Sequence, residues 1–270
     1  MIGVELQKIV RSRRTWTTIL LIDALPTLVG VLLAVTDLGP RPGDGPAFLS
    51  AVLTDGALFP LAALAIVLPL FLPIAVAVTA GDAIAGESQQ GTLRYLLVRP
   101  VGRTRLLVAK LVSVMAFVVL TVLVVAATAY VVGTLLLGND TTAGVASVSG
   151  STLTTPELVE RTLLALAYAM LCMLGVAAIA LFLSTALRSP LGAALGTMAV
   201  LVASTLLLTI DAAHALQPYL PTRYWLAFVD LFRDPILWRD VTRGVLLQGV
   251  YVVVFLGAAW ANFATKDITD

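Results

Sequence analysis

Five stretches of this chain contain no Asp, Glu, Lys or Arg: Gly56 to Gly81, Leu111 to Asn139, Thr162 to Leu187, Ser189 to Ile210, and Gly244 to Thr265. Each is long enough to cross a bilayer core of about 30 Å as a helix, and a charge at that depth costs roughly 2.5–3.5 kcal/mol even on mild scales. A sixth stretch, Trp16 to about Thr36, is interrupted only by Asp23. Composition agrees: 59% of the 270 residues are hydrophobic and 12% charged, against about 25% charged in soluble domains. The expected fold is all-α, a single polytopic membrane domain over residues 1–270. Its predicted spans are approximately 16–36, 57–80, 107–137, 162–185, 190–210 and 244–264.

Basic residues precede the first apolar stretch, as they do in a cleavable signal peptide. That stretch is nearer twenty residues than ten and lacks a small-residue cleavage pattern, which favours a signal anchor. Before it, Ile2, Leu6, Ile9 and Val10 share one helical face while Glu5, Lys8 and Arg11 fall on others. This periodicity predicts an amphipathic interfacial helix, the alternative being a short basic leader.

With the N-terminus inside, the inner loops hold Lys8, Arg11, Arg13, Arg14, Arg94, Arg99, Arg103, Arg105, Lys110, Arg188 and Lys266. Outside lie Arg41, Arg161, Arg223, Arg233, Arg239 and Arg243. The positive-inside bias therefore predicts a multi-pass plasma-membrane protein with both termini cytoplasmic. Within Asp211 to Arg243, Arg233 and Arg243 follow Asp230 and Asp240 at helical spacing, so this outer segment is near neutral. Tyr219, Tyr224, Trp225, Phe228, Phe232 and Trp238 predict one or two short helices at the outer headgroup level; a packed surface loop is the alternative. His214 reads as a solvated loop residue, and Cys172, the single cysteine, as a buried thiol.

Chemistry-bearing motifs are few. The chain has no phosphate-binding loop, no His-Glu-x-x-His, no cysteine pair and no partner for a nucleophilic serine beyond His214. No catalytic or metal-binding residue is assigned, and no nucleic-acid partner is expected. The informative stretch is the predicted inner loop from Gly81 to Arg105. Gly91 supplies a turn, Thr92 a helix cap, and Leu93, Leu96 and Leu97 then share a face until Pro100 and Gly102 stop the helix. A short amphipathic helix under the membrane suits docking into a groove on a partner.

Glu87, Gly91-Thr92-Leu93, Leu97, Pro100-Val101, Arg103 and Lys110 resemble the intracellular loop of ABC-2 type transporter permeases. The plan of the chain is similar to that family too, with a basic N-terminal helix, six spans, short outer helices before the last, and a charged tail at Ala264 to Ile268. The resemblance implies that a separate ABC ATPase subunit, in two copies, binds this loop. ATP and magnesium then belong to that subunit, and this chain carries no cofactor and is not itself an enzyme. Glu87 and the Gly91 to Val98 helix would form the ATPase contact, with Arg94 and Arg99 as polar partners; those arginines alternatively anchor the loop to lipid phosphates. Six spans make half a transporter in this family, so a second permease copy or a relative is implied.

Features inside the spans bear on the transport path. Asp23 either lines the path or seals a dimer, or else lies near enough the inner interface to be hydrated. Pro69 and Pro73 each remove a backbone hydrogen bond and allow bending, although such prolines are common in membranes. Gly192 and Gly196 form a small-residue face that marks close helix packing, within or between subunits, or arises by chance among 20 glycines. The expected function is export of apolar or amphiphilic cargo such as drugs, lipids or peptides. ATP binding would draw two ATPases together, and the two permeases would rock or separate. A gradient-driven secondary transporter and a non-transporting docking or immunity module are the rival readings.

Overall fold

The computed structural model describes residues 2–36, 56–89, 102–138, 145–146 and 152–265. Six of its helices are long and apolar enough to span a membrane, as the charge-free intervals predict. Helices are what a lipid-facing chain must form, because each backbone N–H and C=O then finds its partner within one segment.

Helix α1 (Ile2–Arg11) leads through Ser12 into α2 (Arg13–Val35). The Ser12 hydroxyl caps α2 by accepting from the Thr15 amide at 3.4 Å, and the Trp16 indole N–H donates to the Val10 carbonyl at 2.8 Å, pinning the elbow. Of the residues assigned to the apolar face of α1, Ile9 packs on the core, whereas Val10 is exposed.

The second predicted span is not one helix. A 3-10 turn (Gly56–Leu58) and α3 (Phe59–Val67) are followed by a turn at 68–70 and then α4 (Phe71–Gln89). Pro69 has no N–H to continue the ladder, and Pro73 sits in the first turn of α4, where its missing N–H would be unpaired anyway. Helix α4 also runs well past the predicted end at residue 80. Gly81 to Gln89, expected in a loop, are its last turns.

All but one of the other spans likewise outgrow their charge-free intervals. Helix α5 (Arg103–Val132), extended by a π-helical turn (Gly133–Leu137), and α6 (Thr155–Ala186) both begin before the predicted limits. Thr154 and Glu157 form a capping box that starts α6 outside the apolar stretch. Helix α7 is Pro190–Leu208, capped by Ser189, and α8 is Trp238–Thr265. Freedom from charge thus marks the lipid-immersed part, while caps and long polar side chains let every span but α7 continue beyond it. A two-residue antiparallel ladder, Val145–Ala146 with Thr152–Leu153, is the only sheet among the described residues.

Helix α6 is the hub: 67% of its apolar window is buried, against 17% for α8. Around it Phe59, Leu64, Leu68 and Leu72 from α3, α4 and their junction meet Phe117 and Val118 of α5 in one core. The outer segment contributes as well. Its last 3-10 helix, Trp225–Phe232, places Trp225, Phe228 and Phe232 inside that core, while Tyr219 and Trp238 stay exposed. Only part of this aromatic set is therefore available to headgroups. His214 is exposed and Cys172 buried.

Contacts sort the helix ends onto two faces. On one, the N-terminal ends of α2, α5 and α7 meet the C-terminal ends of α4, α6 and α8. It carries Lys8, Arg11, Arg13, Arg14, Arg103, Arg105, Lys110 and Arg188 and is the basic face below. On the other, Arg161 donates to the Arg233 carbonyl, Tyr168 to the Tyr224 carbonyl and Gln248 to the Pro221 carbonyl, fastening the outer segment to α6 and α8.

Candidate functional site

At the basic face, side-chain bonds tie α2, α4, α5, α6 and α8 to one another. Glu87 near the end of α4 forms an ion pair with Lys110 on the second turn of α5, and the two side chains are only 17% and 5% exposed. Water is nearly excluded from this pair, so its strength is less diluted by solvent than that of a surface bridge. It closes the two ends of the segment between Gln89 and Gly102. Any force on that segment therefore acts on α4 and α5 together.

One turn earlier, the buried Ser184 hydroxyl of α6 enters the backbone ladder of α4. It accepts from the Ile84 and Ala85 amides at 3.2 and 3.0 Å and donates to the Gly81 carbonyl at 2.7 Å. A side chain inserted in this way is one of the recognised causes of a local bend. Gly81 itself faces α7: a Cβ there would lie 3.0 Å from the Ala194 amide nitrogen and 3.2 Å from the Pro190 carbonyl. The far side of the face is held by Arg103, whose guanidinium donates to the Phe263 and Ala264 carbonyls at 3.1 and 2.7 Å. Asn262 donates to Thr185, and Arg14 pairs with Asp82 at a looser 3.5 Å.

Of the residues expected at the ATPase contact, the structure positions Glu87. Gly91, Thr92, Leu93, Arg94, Leu97 and Arg99 lie outside the described residues. Asp23 is buried on α2 and accepts from the Thr128 hydroxyl of α5 at 2.6 Å. It lies nine residues beyond Arg14, about 13 Å deeper along the helix, in a shallow groove between α2 and α5 that also takes in Thr27 and Val131. Pro69 is exposed at the turn between α3 and α4, and Pro73 is buried.

Among the described residues, Gly192 and Gly196 do not meet another helix backbone. A Cβ on Gly192 would sit 3.5 Å from Ser189, and one on Gly196 would be 3.2 Å from the Leu183 side-chain tip. The close approach of α7 is made by Gly81 instead, a residue whose sequence context reads only as the edge of a charge-free run. Ser184 gave no signal either, since a lone serine in an apolar run fits many roles.

A cavity of about 500 Å³ lies between α1, α2, α4 and α5 at the basic face. Among the described residues no cluster of His, Cys, Asp or Glu is arranged to hold a metal ion. Among the described residues, the side chains of this face join helix to helix. No match to a curated protein was found. Residues 1–200 match the family model described as ABC-2 family transporter protein, and with that match spanning the basic-face ion pair, the first four spans and the start of the fifth, the chain belongs to the ABC-2 transporter permeases, the membrane subunits of such transporters.

Proposed function

We propose that this chain is the permease subunit of an ATP-driven exporter of apolar or amphiphilic cargo, energised by a separate ABC ATPase docked at the basic face. The basic face is cytoplasmic in this reading, on the strength of its arginines and lysines, and both termini lie there. The carrying observation is the Glu87–Lys110 pair, nearly shielded from water, which joins α4 to α5 at the two ends of the segment bearing the Gly91-Thr92-Leu93 motif. Leu93 and Leu97 seat in the ATPase groove, Arg94 and Arg99 add polar contacts, and Gly91 and Thr92 set the start of the docking helix. Glu87 holds that helix to the spans rather than reaching the ATPase itself.

ATP binding, with magnesium, draws two ATPases together and each pulls its permease copy through this handle. The Ser184 insertion and the turn around Pro69 and Pro73 are the points where α4 and its approach yield. Asp23 sits where a second copy or a hydrated path would meet α2 and α5. The scarcity of intramembrane charge favours apolar or amphiphilic cargo over simple ions.

The test is assembly. Tagged full-length chain is purified from its native cells, and an ATP-binding subunit is expected to remain bound. Leu93→Asp should release it by tenfold or more while the permease still elutes as folded protein. Retention of the subunit and an unchanged ATPase rate in that variant would remove the coupling assignment.

A further inference from the structure

The cavity between α1, α2, α4 and α5 has chemistry that varies with depth. Toward the basic face it is lined by Lys8, Arg14 and Asp82, two cations against one carboxylate, and the shielded Lys110–Glu87 pair forms part of its wall. Arg11 and Arg13 are exposed on the adjoining turns and add to the positive field. A middle band carries the hydroxyls of Thr15, Thr18, Thr79 and Ser113. Deeper, the floor is Ile22, Ala75, Val114 and Phe117. From Arg14 to Ile22 the wall descends about 12 Å at 1.5 Å per residue.

The cavity is not closed sideways. Leu21 of α2 and Ile74 and Val78 of α4 line it and are exposed, at 75%, 37% and 38%. Those residues belong to spans, so the gap between α2 and α4 opens toward the bilayer. Its volume of about 500 Å³ falls within the ~300–1,000 Å³ usual for small-molecule sites.

A net-positive mouth, a hydroxyl band and an apolar depth reached from the side match one class of ligand. We infer that the cavity binds a resident anionic phospholipid of the leaflet on the basic side, its headgroup among Lys8 and Arg14 and one acyl chain along Ile22, Val114 and Phe117. Basic residues at a membrane surface attract anionic lipid, and the lateral gap lets a chain enter without leaving the bilayer. Because Lys110 and Glu87 line the wall, the lipid rests against the pair that joins α4 to α5. From the proposed function this takes only which side of the membrane the basic face occupies.

The experiment uses the full chain in nanodiscs with no ATPase present. Phosphatidylglycerol or phosphatidylcholine, each with a photoactivatable acyl chain, is added at equal mole fraction, and crosslinks are mapped by peptide. Phosphatidylglycerol should label α2 and α4 around Ile22 and Ala75, with phosphatidylcholine weaker. Reversing a basic residue by Lys8→Glu or Arg14→Glu should each cut the anionic preference by at least about fivefold, the effect of losing one positive charge. Val78→Trp, which narrows the gap, should abolish the labelling, while Leu246→Trp on the exposed face of α8 should leave it unchanged.

Equal labelling by both lipids, or indifference to the charge reversals, overturns the inference. So does a Leu21→Cys variant that crosslinks two copies across the gap, since a second permease would then fill it. Leu93→Asp should leave lipid labelling intact, so loss of ATPase coupling and loss of the lipid site are separable results.

Discussion

Lys110 shows how one residue's meaning depends on its surroundings. Adjacent to an apolar run it reads as an inner-loop anchor, yet its ammonium is buried against Glu87. Truncating one partner of a buried pair leaves the other charge stranded, at a cost of about 3–5 kcal/mol, whereas replacing both with groups of similar size is far milder. Lys110→Met should therefore lower the melting temperature in detergent well below that of the Glu87→Gln, Lys110→Met double variant. If the single and double variants melt together, the pair contributes little to the fold. Glu87 stands out in the sequence because it precedes the Gly91-Thr92-Leu93 motif; its bond to Lys110 does not, because sequence separation says nothing of which helix ends adjoin.

At the scale of elements, helix–helix spacing in a membrane is set by small residues that let backbones approach. Within the chain, α7 presents Pro190 and Ala194 to Gly81 of α4, while its own Gly192 and Gly196 meet only side chains. Gly81→Val should force these helices apart and lower thermal stability by several degrees, while Gly196→Ala meets only a flexible Leu183 tip and should be neutral or gain up to about 1 kcal/mol of helix propensity. Thermal unfolding of the two variants side by side decides it, and a Gly81→Val protein as stable as the parent would show that the contact is slack. The division of the second predicted span at 68–70 is traceable to Pro69 and Pro73. What the prolines did not disclose is that α4 would carry on to Gln89, past Asp82 and Glu87, because both carboxylates find cations on α2 and α5.

For the whole molecule, the six spans gather their ends on a basic face and an opposite face capped by the outer segment. This arrangement sets a topology test with a clean background, since Cys172 is fully buried. A membrane-impermeant maleimide should label Leu216→Cys on intact cells and Arg105→Cys only after permeabilisation, both residues being exposed. The reverse pattern would turn the molecule over and remove the cytoplasmic docking face. Taken alone, the residue order determined the number of crossings, the asymmetry of basic charge and the family motif, because each depends on local composition against a uniform solvent, the bilayer. Tertiary structure decided which aromatics of the outer segment join the core, where the α4 backbone receives Ser184, and that charges from α1, α2, α4 and α5 ring one cavity. Those are meetings between residues far apart in the chain, and a ring, a hydroxyl or an ammonium has the same local signature whether it meets lipid, water or another helix.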